Sequence, residues 1–353
     1  MNAVSSNAEA LVKFGTVETS EAGGAILAHT VRVGGQTVRK GSRLTEETIA
    51  ALAGSGVTSL MVARLEPGDV PEDEAAARIA AVVAGSGTVL GKSSTGRSNV
   101  FSVANGLAII EREAIIAANG IDEGLTIATL SPFARVTRGQ MVATVKIIPF
   151  ALPEAVVAEA ERRLRGNGGA IAVEPFRTHQ AGLLLTRTGS EKEGMLAKKS
   201  SAVAQRVAEL GSEVVRVETV RHDTQEVEAA LVRLAALKLD PLLVFGASAI
   251  VDRGDVIPAA VTAAGGDVVH LGMPVDPGNL LLYGRMDDAT VIGVPSCASS
   301  LKVNGFDWVL ERCLAGRTVT HREFVEMAVG GLLMEISTRP QPRARQDKPP
   351  PSS

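Results

Sequence analysis

The chain of 353 residues reads as an α/β protein: a doubly wound, mostly parallel sheet over residues 181–317, preceded by an N-terminal α/β segment and an inserted small β module. Three observations predict the sheet. Short apolar runs, Leu183-Leu184-Leu185, Val214-Val215 with Val217, and Leu242 to Phe245, are each followed by a helical pattern. The helices stop at glycine, at Gly211 and at Gly265-Gly266. Strands that alternate with helices return by crossovers, which makes neighbouring strands parallel. Ligands of such sheets bind beyond the carboxyl ends of the strands, where helix N-termini and loop amides gather. Loops 186–191, 218–224 and 246–255 are therefore expected to carry the chemistry.

Residues 1–12 have no strong pattern, and residues 1–85 read as an α/β segment. Val31-Arg32-Val33, Gly34-Gly35 and Gln36-Thr37-Val38 read as strand, turn, strand. Thr45, with Glu47 behind it, is an N-cap for a helix through Ile49 and Leu52, and Val57 to Val62 is a strand. Asp69 or Pro71 opens an alanine-rich helix through Ile79 and Val83. Residues 86–150 change texture. Short strands at Thr88 to Leu90, Asn99 to Val103, Leu107 to Ile110, Thr126 to Leu130 and Met141 to Ile148, with a brief helix over Glu111 to Ala118, predict the inserted module. Pro153 starts a helix over Glu154 to Leu164, and residues 151–180 lead back to the sheet through the joint Gly166-Asn167-Gly168-Gly169.

Within residues 181–317, Val203, Val207 and Leu210 define one helix face. Val227, Leu231, Leu234 and Leu237 define a second, begun by Asp223 or Thr224. A third helix covers Val256 to Ala264, followed by a two-strand ribbon and a closing helix over Ser299 to Ala315. Residues 318–337 give a helix capped by Thr320 and a last strand, Leu332 to Ile336. The tail 338–353 is basic and proline-rich, as an extended, disordered linker is.

Composition excludes several classes. No apolar run approaches the roughly 20 residues a membrane span needs, and Met1 to Glu9 is polar, so a cytoplasmic protein is expected. A net charge of -3 with 3% aromatic residues argues against nucleic acid. Two cysteines, Cys297 and Cys313, make neither a disulfide framework nor a metal knuckle. The five histidines show no metal-ligand spacing. There is no Gly-x-Ser-x-Gly elbow and no Walker loop.

At the strand ends, Gly246, Ala247 and Ser248 bring backbone amides close to an anion, or serve only as small residues in a turn. Thr186, Thr188 and Ser190 offer hydroxyl donors. Asp223 and Asp255 follow strands at helix starts, where a carboxylate does acid chemistry or caps the helix; Asp252 is a third carboxylate. His222 is placed to hydrogen-bond a ligand. Cys297 sits before the closing helix, whose dipole would lower its thiol pKa; the alternative is a small buried residue in a tight turn. Cys313 falls on the apolar face of that helix with Val303, Phe306, Val309 and Leu310. Lys92 and Arg97, around Thr95-Gly96, form an anion site or a solvated turn.

Thr188-Gly189-Ser190-Glu191, Gly246-Ala247-Ser248 through Asp252-Arg253-Gly254-Asp255, and Pro277-Gly278-Asn279-Leu280 ending at Tyr283-Gly284 resemble, in order and spacing, the molybdopterin-binding domain of the molybdopterin molybdotransferases and gephyrin. Asn105-Gly106-Leu107-Ala108 sits where that family carries Asp-Gly-Tyr-Ala. The departures are specific. Ser190 replaces an aspartate, the double-glycine loop becomes Gly246-Ala247 with one more residue before Asp255, Asn279 replaces a lysine, and Pro295-Ser296-Cys297-Ala298 replaces Pro-Gly-Asn-Pro.

The resemblance implies binding of molybdopterin or its adenylylated form, with Mg²⁺. The implied contacts are Thr188, Gly189, Ser190, Glu191, Gly246, Ala247, Ser248, Pro277, Gly278, Asn279, Ser296 and Cys297. It also implies catalytic roles for Asp223 and Asp255, metal ligation by Asp255 and Asp252, and a homodimer. The function implied is a transferase of molybdenum cofactor biosynthesis that inserts molybdate. The alternatives are a non-catalytic carrier that hands the cofactor to a nucleotidyltransferase or molybdoenzyme, and a nucleotide-pyrophosphate hydrolase on the same fold.

Overall fold

The computed structural model describes residues 13–33, 35–166, 168–189, 193–276 and 278–333. The chain divides into two units, Met1–Pro175 and Phe176–Ser353.

In the first unit, Lys13–Glu18 and Ile26–Leu27 flank Ser59–Arg64 in an antiparallel sheet. Val31–Val33 pairs with Gln36–Val38 as the sequence suggests. Thr45 caps Glu46–Gly54, its hydroxyl accepting from Thr48 N at 3.2 Å. The next helix is Glu72–Val83, whose first turn carries Glu72, Asp73 and Glu74, a favourable charge at a helix N-terminus. Pro71 is its N-cap, and Asp69–Pro71 also forms a short strand against Ala151–Pro153.

Residues 86–150 do not keep a core to themselves. Ile79 and Val83 of Glu72–Val83, Val157 and Leu164 of Glu154–Leu164, and the strand residues Val100 and Ile147 are buried in one cluster. The two helices have apolar faces that would otherwise meet water, so the module's sheet becomes their partner. Arg78 joins them, with Nε 2.9 Å from Glu161 Oε1 and a terminal nitrogen 2.7 Å from Glu154 Oε2. The protein's own groups engage the Thr95-Gly96 turn. Gly96 N donates to Asp73 Oδ1 at 2.6 Å, Lys146 Nζ donates to Thr95 O at 2.6 Å, and Glu72 stands 3.5 Å from that lysine. Asp73, Glu72 and Lys146 thus hold the turn.

The second unit holds β1 (Gln180–Arg187), α1 (Glu193–Glu209), β2 (Glu213–Arg221), α2 (Thr224–Ala236), β3 (Leu242–Phe245), α3 (Val256–Ala263), β4 (Asp267–Met273), β5 (Asn279–Met286), β6 (Ala289–Val294), α4 (Gly305–Leu314) and α5 (His321–Glu326). Its six-stranded sheet has the order β2-β1-β3-β6-β5-β4. β2, β1, β3 and β6 run parallel, while β5 and β4 form the expected antiparallel ribbon. Leu183, Leu185, Leu243 and Phe245 face a core shared with Val203 and Val207 of α1 and Phe306 and Val309 of α4. Leu184, Leu242 and Val244 face a second core with Val227 and Leu231 of α2 and Ile257 and Val261 of α3. Helices thus cover both faces, and strands buried on both sides read as unbroken apolar runs. From β1 the chain moves outward to β2, then crosses back to β3 on the other side. The reversal places the switch point between β1 and β3.

Several expected boundaries shift. β2 continues to Arg221, which leaves little of the expected loop 218–224. The closing helix breaks into a 3-10 turn, Ser296–Ser299, and α4, because Asn304 and Asp307 form a capping box that starts a helix at Gly305. Val303 therefore precedes the helix and is exposed. Thr320 caps α5 with Glu323 in the same manner. Leu332 and Leu333 are not in a strand, and residues 334–353, including the tail, lie outside the described residues. Among the described residues no helix is long and apolar enough to cross a membrane.

Candidate functional site

β1 and β3 end side by side, Leu185 in register with Phe245. The next residue of β1, Thr186, is fully buried at 0% exposure. Its hydroxyl oxygen accepts from Ala247 N at 2.8 Å and lies 2.9 Å from His222 Nδ1. One side chain therefore joins the ends of β1, β2 and β3 across the switch point. His222 N also donates to Arg187 O at 2.8 Å. From α1, Lys199 donates to Gly246 O at 3.2 Å and stands 4.5 Å over the Phe245 ring. Sequence reasoning missed this lysine, because one lysine on a polar helix face carries no distinguishing pattern.

Lys199, Gly246, Ala247, Ser248, Pro295 and Ser296 line a cavity of about 60 Å³, so four expected contact residues do come together. Ligand pockets commonly enclose about 300–1,000 Å³, so this cavity takes one group of a ligand and leaves the rest on open surface. Gly246 is required there: a Cβ would stand 2.6 Å from Ser248 O.

The carboxylates serve their own backbone. Asp223 caps α2, its Oδ1 accepting from Gln225 N at 3.1 Å and Glu226 N at 3.2 Å. Asp255 Oδ2 accepts from Val251 N at 2.7 Å and Asp252 N at 3.0 Å. Those two bonds, the first above all, hold its carboxyl below the usual range, with a smaller pull from His222. Asp252 Oδ1 accepts from Gly254 N at 2.7 Å. Among the described residues no group of three or more His, Cys, Asp or Glu side chains gathers as metal ligands would.

Asn279 opens β5 and is 4% exposed, yet neither its amide nitrogen nor its amide oxygen has a hydrogen-bond partner. Each such group costs about 1–3 kcal/mol when left unpaired. Gly305 makes room for it, since a Cβ there would lie 2.8 Å from Asn279 Nδ2. Gly278 just before it is in the left-handed region, φ 103°. Thr188 and Gly189 follow β1 on the surface. Ser190, Glu191 and Pro277 lie outside the described residues.

Cys297 does not begin a helix. α4 starts eight positions later, so no dipole lowers its thiol pKa; the residue is exposed, but burial of the thiol is the largest influence and pushes it up. Cys313 is in the core as expected, its pKa pushed up to about 12 by burial. Arg206 fixes the loop after Cys297. It is 5% exposed, with Nε 2.7 Å from Asp307 Oδ1, and it donates to the carbonyls of Ala298 at 3.0 Å, Lys302 at 3.2 Å and Ser300. An arginine in a helical run does not announce such a role.

Residues 192–315, about a third of the chain, match the family model described as "Probable molybdopterin binding domain". The matched stretch lies within the second unit, and the similarity bears out the resemblance to a molybdopterin-binding domain family seen in the motifs. Residues 16–64 match a second model, described as a domain of unknown function. Similar solved structures include a molybdenum cofactor biosynthesis protein B at 18% identity and TM-score 0.31, covering 39% of this chain and 94% of that one. Another is a molybdenum cofactor biosynthesis protein from Pyrococcus furiosus at 11% identity and TM-score 0.24, covering 87% of this chain and 66% of that one. No curated protein matches.

Proposed function

We propose that this protein binds molybdopterin in the crevice beyond β1, β3 and β6 and presents it during molybdenum cofactor biosynthesis. The observation that carries this reading is that the family match over residues 192–315 spans the loops that follow β2, β3 and β6. A pyranopterin presents a fused polar ring, a dithiolene and a terminal phosphate. The unpaired amide of Asn279 offers one donor and one acceptor, which a pterin edge can satisfy. Gly246 and Ala247 let the backbone come close, and Lys199, Ser248 and Ser296 supply polar groups for a phosphate. Thr188, Gly189, Ser190, Glu191, Pro277, Gly278 and Cys297 belong to the same proposed contact set.

Presentation is favoured over turnover because Asp223 is engaged as a helix cap and Asp255 by two backbone amides. Insertion of molybdate is the second reading. It draws on Asp255 Oδ1 and Asp252 Oδ2, which those bonds leave over. Mg²⁺ commonly takes one or two carboxylates plus substrate phosphates, so this pair would hold it only together with a phosphorylated ligand. We further propose a cytoplasmic homodimer, tested by sedimentation at micromolar concentration, where a monomer refutes it.

The deciding experiment titrates the protein with molybdopterin and with its adenylylated form, with and without Mg²⁺ and molybdate, while bound metal is followed. Tight binding without metal or nucleotide change supports presentation. Molybdate-dependent release of AMP supports insertion instead. Failure to bind either form refutes both.

A further inference from the structure

Thr186 determines which nitrogen of His222 carries a proton. A threonine hydroxyl has one hydrogen to give and two lone pairs to receive with. Here Oγ1 receives the Ala247 amide, its only other partner among the described residues is His222 Nδ1, and the residue is fully buried. The hydroxyl hydrogen must therefore go to Nδ1, because the reverse arrangement would bury an O–H with no acceptor. His222 is thus held with Nδ1 as acceptor and its proton on Nε2. Among the described residues Nε2 makes no hydrogen bond, and it is not among the buried unpaired atoms, so it is a donor open to solvent.

A cationic residue ends the strand that carries Thr186. Arg187 and Arg221 are register partners at the ends of β1 and β2, and the Arg187 carbonyl receives the His222 amide. Arg221 is committed to Glu226 at 2.5 Å, whereas Arg187 is exposed and, among the described residues, forms no ion pair, acting on Glu226 only through its field. Asp255 does not use the imidazole either, since no hydrogen bond joins the two and its Oδ2 is taken by Val251 N and Asp252 N. A directed N–H and an exposed guanidinium at one sheet end suit an oxygen that carries negative charge.

We propose that His222, fixed by Thr186 as the Nε2–H tautomer, and Arg187 at the neighbouring strand end form an oxyanion subsite of the crevice. The oxyanion is a phosphate or a molybdate, and the subsite rests on the reading of the crevice as a ligand site. His222 then sets specificity at a strand end where an ordinary acidic side chain would repel the same group.

The test uses full-length ¹⁵N-labelled protein at pH 8, with the His222 signals assigned by their loss in His222→Asn. The expected spectrum shows a pyridine-like Nδ1 and a pyrrole-like Nε2, kept in Thr186→Ser and mixed in Thr186→Val; a pyrrole-like Nδ1 in wild type overturns the proposal. Inorganic phosphate and molybdate are then titrated separately. A saturable shift of the His222 signals with phosphate alone places a ligand phosphate at the subsite, and with molybdate alone places the metal oxyanion there. In either case Arg187→Gln and His222→Asn weaken binding about tenfold or more, as loss of a charge-assisted bond does. No saturable shift with either anion overturns the subsite even if molybdopterin binds. Loss of molybdopterin binding with the anion response intact removes only the wider reading.

Discussion

Replacing Arg206 by methionine removes the guanidinium that fixes the loop following β6 while keeping most of the side chain's bulk. The arginine is 5% exposed and its partner Asp307 15% exposed, so the pair is largely screened from water. The change deletes a 2.7 Å ion pair and the bonds to the carbonyls of Ala298, Ser300 and Lys302. Breaking a buried pair from one side costs about 3–5 kcal/mol, because the remaining charge stays buried. Asp307 keeps its bond from Asn304 N at 2.8 Å, which points to the lower end of that range. With a urea dependence of about 1–3 kcal/mol per molar, the midpoint should fall by about 1–2 M. Trp308, the single tryptophan, lies next to Asp307 and packs against the core around α1 and α4, so its fluorescence follows the second unit. Arg206→Met/Asp307→Asn should recover part of the loss, since no unpaired charge remains. A midpoint within about 0.3 M of wild type for Arg206→Met would refute the assignment of the loop's stability to this residue.

Asp223→Ala should destabilise by about 1 kcal/mol through loss of the α2 cap, with Asp223→Asn near wild type and ligand affinity changed less than about twofold by either; a collapse of binding in Asp223→Asn would restore a catalytic role. For Asp255 the folded carboxyl titrates below its ordinary value of 3.8, so its contribution is present above that pH and lost as pH falls through the lowered value. Asp255→Asn should therefore flatten the acid limb of a thermal-unfolding profile below about pH 4, and an unchanged limb would show that the two amide bonds are not made in solution. Iodoacetamide at pH 8 should label the exposed Cys297 well before the buried Cys313, read by peptide mass spectrometry; comparable rates would contradict the packing of α4. Gly246→Ala should weaken ligand binding and also lower the unfolding midpoint, because the added methyl meets both Ser248 O at 2.6 Å and the core residue Ile257 at 3.0 Å; unchanged binding would refute the close approach of the backbone to the ligand.

The sequence by itself determined the alternation of strand and helix in the second unit. Apolar runs such as Leu242 to Phe245 and caps at Thr45, Asp223 and Thr320 are local signals, and periodicity with capping acts over a few residues. It likewise placed the loops that belong at a switch point, since the topology follows from the order of elements. Only the tertiary structure decided what those loops contain. Thr186 meets His222 36 positions away and Ala247 61 positions away, and Arg206 meets Asp307 101 positions away. Nothing periodic links residues so far apart. The same reason explains Asp255, which looked like a free carboxylate at a helix start but turns back onto Val251 and Asp252. It also explains the break before Gly305, where the Asn304–Asp307 capping box separates Cys297 from the helix. Strand and helix are set by the residues' own neighbours, whereas the protonation and partners of a site are set by which chain ends the sheet brings together.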